Sequence, residues 1–304
     1  MKKYFILNAD DFGMCESANA ACFELFEEGR LYSATIMMPC PAAKAAVDFS
    51  VAHPQYAIGV HTTLTSEWQK YRWKPLTDGK TLLDEEGFMW HEADMVEKNA
   101  SSEDIEKEVR AQIDLAHKWG MKPSHIDNHM GSLYGNQTGR FSLLKLAYKI
   151  CGSYGYPYRM YIKADKRVDP RGIPHIVNAA AAALSKRWAK KYKVITPDFL
   201  LFPDWDAPGM KDCESYENYR RQILDIWTNL PEGVTETFVH PAVESDELKS
   251  ITNAWQRRVW EYMLLKDPET EKYLNEHGVY FISYRDLVGL RNGKTNSDCH
   301  KNTT

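Results

Sequence analysis

A chain of 304 residues, 43% hydrophobic and 26% charged, has the make-up of a soluble globular protein large enough to bury a sizeable core. Its formal net charge is -4 with Lys and Arg scattered, so no nucleic-acid surface is offered, and no apolar run is long enough to cross a membrane. Six cysteines without a CxxC pair read as reduced thiols, and the four-residue apolar run after Lys2 and Lys3 is too short for a signal-peptide core, so the expected location is cytoplasmic.

The first strand is expected over 4–7, where Tyr4-Phe5-Ile6-Leu7 runs into Asn8-Ala9-Asp10-Asp11-Phe12-Gly13. A helix over 16–28 follows, with Ala18, Ala21, Cys22 and Leu25 at helical spacing and Gly29 as its stop. Strands are expected over 32–38 and 56–61. The stretch 68–97, rich in Trp, Lys and Gly, breaks the alternation and reads as a long loop over the C-terminal edge of a sheet. Ser102 is the expected N-cap of a helix over 102–119 whose apolar face is Ile105, Val109, Ile113 and Ala116. Further strands are expected over 124–129, 158–163, 235–240 and 279–284, and further helices over 216–229 and 247–265. A second long loop is expected over 197–210, around Asp204-Trp205-Asp206. Strand–helix alternation of this length predicts a parallel α/β sheet, open or closed into a barrel, in one domain over 1–292 with a polar tail over 293–304.

In such a fold the active site stands at the C-terminal ends of the strands. Asp10-Asp11 ends the first strand, His61 ends another, His125, Asp127 and His129 share a third, and His240 precedes Pro241 at the end of a late one. Taken singly, each is ordinary. The aspartate pair before Gly13 reads as a turn with solvated carboxylates, His61 as a buried hydrogen-bonded histidine, and His240 as a strand terminus. Taken together they are what a divalent metal site needs: three protein ligands, open positions, and a neighbouring carboxylate to take a proton from water. Period two puts His125, Asp127 and His129 on one strand face, with Ile126 and Met130 opposite, and both imidazoles can be ligands only if the strand bends.

Several segments carry a resemblance: Asn8-Ala9-Asp10-Asp11-Phe12-Gly13, Gly59-Val60-His61-Thr62-Thr63-Leu64-Thr65, Lys122-Pro123-Ser124-His125-Ile126-Asp127-Asn128-His129 and His240-Pro241. With the helix at 108–113 and Ile282-Ser283-Tyr284-Arg285-Asp286-Leu287, they resemble the YdjC-like carbohydrate deacetylases in order along nearly the whole chain. The resemblance implies a divergent (β/α) barrel related to polysaccharide deacetylases. It also implies a metal-dependent hydrolase that removes the N-acetyl group from a small N-acetylated sugar or oligosaccharide. Carried over, Asp11, His61 and His125 are the ligands, Asp10 is the general base, and His240 is the general acid that protonates the leaving amine. Asp127 and His129 would stand behind the ligands or at the substrate, and Arg159 would brace the base. The metal would be zinc or magnesium, with manganese, cobalt and nickel open. Gly131 and Leu133 stand where family members often carry further histidines, so chitobiose is not implied as the substrate. A phosphoesterase on the same scaffold stays open, although no Gly-rich phosphate loop or basic cluster accompanies these strand ends. So do a non-catalytic sugar-binding protein, its tryptophan loops stacking on sugar rings, and a homo-oligomer. No nucleic-acid or membrane partner is expected.

Overall fold

The computed structural model describes residues 2–170, 172–203, 210 and 213–293. Its seven strands are β1 (Lys3–Phe12), β2 (Ser33–Ile36), β3 (Ala57–Thr62), β4 (Ile126–Asn128), β5 (Phe199–Leu200), β6 (Gly233–Val239) and β7 (Val279–Phe281). Every pairing is parallel, in the order β4-β3-β2-β1-β6-β5. β7 pairs with the first residues of β1, on the edge that β2 takes further along. β1 is buried on both faces, which is why Phe5-Ile6-Leu7 shows no alternation: a parallel sheet is covered by helices on one side and filled on the other.

The sheet curls into a barrel, and its wall is irregular at one place. Between β4 and β5 the chain around Tyr158 spans the gap by isolated bonds. Ile126 N donates to Pro157 O, Arg159 N to Ile126 O, Tyr158 N to Ile195 O, and Ile162 N to Asp198 O. The strand expected over 158–163 therefore stands in the wall but contributes a single bridge, Ile126 to Tyr158, and no regular ladder. β5 instead comes from the stretch expected to be a loop, where a four-residue apolar run, Phe199 to Phe202, is closed in by Pro197 and Pro203 and only its first two residues pair as strand.

The helices are α1 (Glu16–Glu27), α2 (Ala43–Ala52), α3 (Ala93–Asn99), α4 (Ser102–Lys118), α5 (Ser142–Tyr154), α6 (His175–Tyr192), α7 (Tyr216–Thr228), α8 (Asp246–Ile251), α9 (Trp255–Lys266), α10 (Pro268–Glu276) and α11 (Tyr284–Arg291). The cap of α4 is Ser101, not Ser102: the Ser101 side chain accepts from Asp104 N at 3.1 Å, and Ser102 is already helical. The helix expected over 247–265 is two, because Thr252 is extended and ends α8. The last strand stops at Phe281, because Ser283 and Asp286 form a capping box that starts α11 at Tyr284. None of the described helices is long and apolar enough to cross a membrane.

The loop after β3 is held by its own side chains. Trp73 is buried with Nε1 donating to Thr65 O, Trp90 Nε1 donates to Thr81 O, and Arg72 binds Asp84 and Met89 O. Its tryptophans are packing groups. Asp204-Trp205-Asp206 and the tail from residue 294 lie outside the described residues.

One close approach shapes the barrel interior. A Cβ on Gly59 of β3 would lie 2.4 Å from His125 O and 2.8 Å from its Nδ1, so only glycine lets His125, the residue before β4, sit there. Gly59→Ala is expected to lower unfolding free energy by about 2–3 kcal/mol through overpacking against backbone, read as a lowered urea midpoint at unchanged slope.

Candidate metal and catalytic site

The two aspartates that end β1 would face opposite ways on a regular strand. They do not, because β1 is bulged there. Ala9 pairs with Ala34 and Phe12 with Ile36, so three steps on β1 match two on β2. Asp11 absorbs the extra residue at φ 59, a left-handed conformation that aspartate tolerates better than most side chains. Both carboxylates then line one cavity of about 380 Å³ at the C-terminal end of the sheet, with His61, Glu67, His129, Arg159, His240 and Arg258.

Asp10 is held from one side by a buried guanidinium. Arg159 Nη1 and Nη2 donate to its two oxygens at 2.7 and 2.6 Å, and Asn8 Nδ2 donates to Oδ1 at 2.8 Å. The same Arg159 reaches Asp127 Oδ2 at 2.8 Å and Glu236 Oε1 at 2.6 Å. Burial by itself would raise the Asp10 carboxyl, but Arg159 and then His61 outweigh it and hold Asp10 below its ordinary value. Glu236, fully buried, is pushed up to about 7 although Arg159 opposes the shift.

His61 on β3 is opposite Asp127 in the β3–β4 register, and its Nδ1 donates to Asp127 Oδ1 at 2.6 Å. That bond fixes the tautomer and leaves Nε2 facing Asp11 Oδ1 at 3.6 Å and Asp10 Oδ2 at 3.8 Å. His129 arrives by a bend. β4 ends at Asn128, and His129 begins a single tight turn in which Met130 takes φ 51. Its Nδ1 comes to 3.3 Å from Asp11 Oδ1, and its Nε2 to 3.0 Å from Glu67 Oε2. Burial opposes a charge on this ring, but Glu67 and Asp11 draw it up to about 10.

Asp11 Oδ2 accepts from Arg258 Nη2 at 2.8 Å, whereas Oδ1 is buried without a hydrogen bond of acceptable geometry. Burial would raise Asp11, but Arg258 and His129 hold it well below the usual carboxylate range. Two trios of ligand atoms lie within 4.8 Å of one another, Asp11–His61–His129 and Asp10–His61–Asp127. In the second, Arg159 already occupies both carboxylates, and the His61 nitrogen nearest Asp127 is committed to it. The first has an orphaned carboxylate oxygen and two imidazole nitrogens, a donor set that fits a divalent transition ion.

The structure does not bring His125 to this cluster. Its ring is fully buried and stacks on Tyr284 at 3.7 Å, with Nε2 donating to Asn8 Oδ1 at 3.2 Å and Ser124 Oγ donating to Nδ1 at 2.8 Å. Burial holds it well below the ordinary imidazole value, as a neutral core side chain. His240 follows β6 directly. Its backbone N donates to Glu261 Oε2 at 2.5 Å and its Nδ1 lies 3.8 Å from the same oxygen. Burial pushes its imidazole down to about 4 against the pull of Asp11. Sequence reasoning missed Glu67, Arg258 and Glu236. Glu67 follows His61 in a loop without pattern, and Arg258 with Glu261 reads as an exposed helical pair, whereas both are buried.

The sequence matches the family model described as "YdjC-like protein" over residues 4–276. The chain belongs to the YdjC-like family. Among relatives of this YdjC-like chain, a protein named carbohydrate deacetylase from Geobacillus stearothermophilus is 27% identical over 291 residues, covering 95% of this chain and 100% of the relative. A carbohydrate deacetylase from Enterococcus faecalis is 28% identical, with 94% and 98% covered. A crystal structure from Enterococcus faecalis, described as a proposed cellobiose-phosphate cleavage protein, superposes with a TM-score of 0.71 at 27% identity, with 94% and 99% covered.

Arg159→Met removes the one cation that three buried carboxylates share and is expected to lower stability by about 3–5 kcal/mol at neutral pH. The sign with pH is set by Asp10, which Arg159 holds below its ordinary value in the native protein. That contribution is present above the unfolded carboxyl value and lost as pH falls through the native one. In the variant, burial instead raises the carboxyls, so its deficit shrinks on acidification. Urea unfolding of both proteins at pH 7 and pH 5 checks this.

Proposed function

We propose that this YdjC-like chain is a metal-dependent carbohydrate deacetylase that hydrolyses the N-acetyl group of a small N-acetylated sugar or oligosaccharide, on one catalytic domain over 1–292. The observation that carries the reading is the convergence of Asp11 Oδ1, His61 Nε2 and His129 Nδ1 beside a second carboxylate, Asp10, in one cavity. The relatives named carbohydrate deacetylase favour a sugar amide over a phosphate ester.

Asp11, His61 and His129 would hold the divalent ion, zinc suiting two nitrogens and an oxygen better than magnesium. When bound, the ion would polarise the acetyl carbonyl and make water a nucleophile near neutral pH. Asp127 keeps His61 Nε2 turned to the site, and Glu67 does the same for His129 Nδ1. Asp10 takes the proton of the attacking water. Arg159 keeps that carboxylate ionised and oriented while its oxygens retain spare lone pairs. His240 enters the reaction neutral, so the proton it delivers to the leaving amine is one it first acquires in the cavity; the two residues therefore act in sequence.

Metal content and acetate release of purified variants test this. His61→Ala and His129→Ala are expected to lose the metal. His125→Gln keeps it, at a cost in stability alone. Asp10→Asn also keeps it while losing about 10²–10⁴-fold in turnover. Full metal content in both His61→Ala and His129→Ala contradicts the ligand set, and phosphate release without acetate release on a substrate panel contradicts the reaction.

A further inference from the structure

A second cavity of about 350 Å³ adjoins the catalytic one. Its lining is mostly apolar and carries no charged side chain among the described residues, with Leu144, Met160, Ile173, Val177 and Ala181 in its walls beside Asn136 and Asn178. Three residues, Tyr134, Asn136 and Phe202, line both cavities, so the chambers share a wall rather than lying on separate faces. Ile173 and Val177 are 38% and 54% exposed, which leaves apolar groups in water at this chamber.

A row of rings links the two. His240 packs against Phe238 at 5.8 Å, Phe238 against Phe202 at 6.4 Å, and Phe202 against Tyr134 at 6.1 Å. The row starts at the proposed general acid and ends at the shared wall. The nitrogen that His240 protonates is the sugar's own, so the sugar lies at the His240 end of this row. Whatever the sugar carries beyond itself is then directed past Phe202 and Tyr134. Leu144, Met160, Ile173, Val177 and Ala181 give an alkyl or ring substituent apolar area to bury there, while hydrogen bonds are offered only by Asn136, Asn178 and the two tyrosine hydroxyls.

Resting on the deacetylase reading, we propose that the apolar chamber is the aglycone site of this enzyme and that its substrate is an N-acetylated glycoside bearing an alkyl or other apolar aglycone. The chamber binds the aglycone by removing it from water, with no charge to satisfy. Recognition is divided between the two cavities, the sugar amide being read by the polar one and the apolar substituent by the other.

The test compares methyl and octyl β-glycosides of N-acetylglucosamine, both below any micelle concentration, on the metal-loaded full chain. Acetate release gives KM and kcat, and calorimetric titration gives binding by itself. The octyl glycoside is expected to show a KM about tenfold or more lower, the gain from burying about two methylenes, at similar kcat. Ala181→Trp, which fills the chamber, and Val177→Asp, which charges its wall, should each abolish that preference and leave the methyl glycoside unaffected. Equal KM and equal binding for the two glycosides, with acetate released from both, overturns the aglycone site and leaves the deacetylase reading standing. An octyl preference in binding that the two variants abolish, with no acetate from either glycoside, overturns the deacetylase reading and leaves the apolar site. A chamber covered by a second copy of the chain, seen as a dimer that Val177→Asp dissociates with no octyl preference, also overturns the proposal.

Discussion

Burying carboxylates at one end of a sheet is costly unless cations share them, and Arg159 is shared by three. Its guanidinium joins Asp10 on β1, Asp127 next to it on β4 and Glu236 on β6, all with the atoms out of water. Because these acids come from separate strands, the ion network also sets how the strand ends stand relative to one another. Tyr284 donates to the second oxygen of Glu236 and stacks on His125, so the start of α11 is tied into the same network. Arg258 supplies a second cation to Asp11. The carboxylates of the cluster, Asp10, Asp11, Asp127, Glu236 and, behind His129, Glu67, thus outnumber its two guanidiniums. In the structure the balance is approached by protons drawn on to His129 and Glu236, whose values rise to about 10 and about 7. The divalent cation proposed here would meet the same deficit, displacing the proton of the ligating ring.

The bulge makes the two aspartates different. Asp10 is still in strand geometry and points to Arg159, which takes both its oxygens. Asp11, in its left-handed conformation, keeps one oxygen for Arg258 and leaves the other bare between two imidazoles. Adjacent like charges are tolerated because each has its own guanidinium. The pair is a bulged strand end, and on the proposed function one of its members would hold the metal while the other stays ionised beside it. Glu67 and Asp127 play matching parts, each taking the far nitrogen of a histidine and so turning the near one inward.

Much of this was legible. Apolar runs that stop at Asp10, His61 and His240 mark strand ends, and the parallel alternation puts those ends together. His125 and His129 could not be told apart by spacing, since four residues along a strand return to the same face. A turn with Met130 at φ 51 decides which of them reaches the cavity, and remote groups, Asn8 and Tyr284, retain the other in the core. β5 is two residues long, and the Ala-rich α6 lacks the apolar contrast that marks an amphipathic helix, so neither shows as a pattern. Arg258 and Glu261 look like a solvated helical pair, and only the tertiary placement of α9, which brings Arg258 to Asp11 and Glu261 to the backbone of His240, makes them buried groups at the site.

The central claim is that the bulge at Asp11 and the bend at His129 together build one metal site. Anomalous diffraction from crystals of the full chain grown with zinc tests it directly. A single strong peak within bonding distance of Asp11 Oδ1, His61 Nε2 and His129 Nδ1, with His125 still stacked on Tyr284, is the predicted result. A peak ligated by His125, or by Asp10 and Asp127 with Arg159 displaced, would contradict the account.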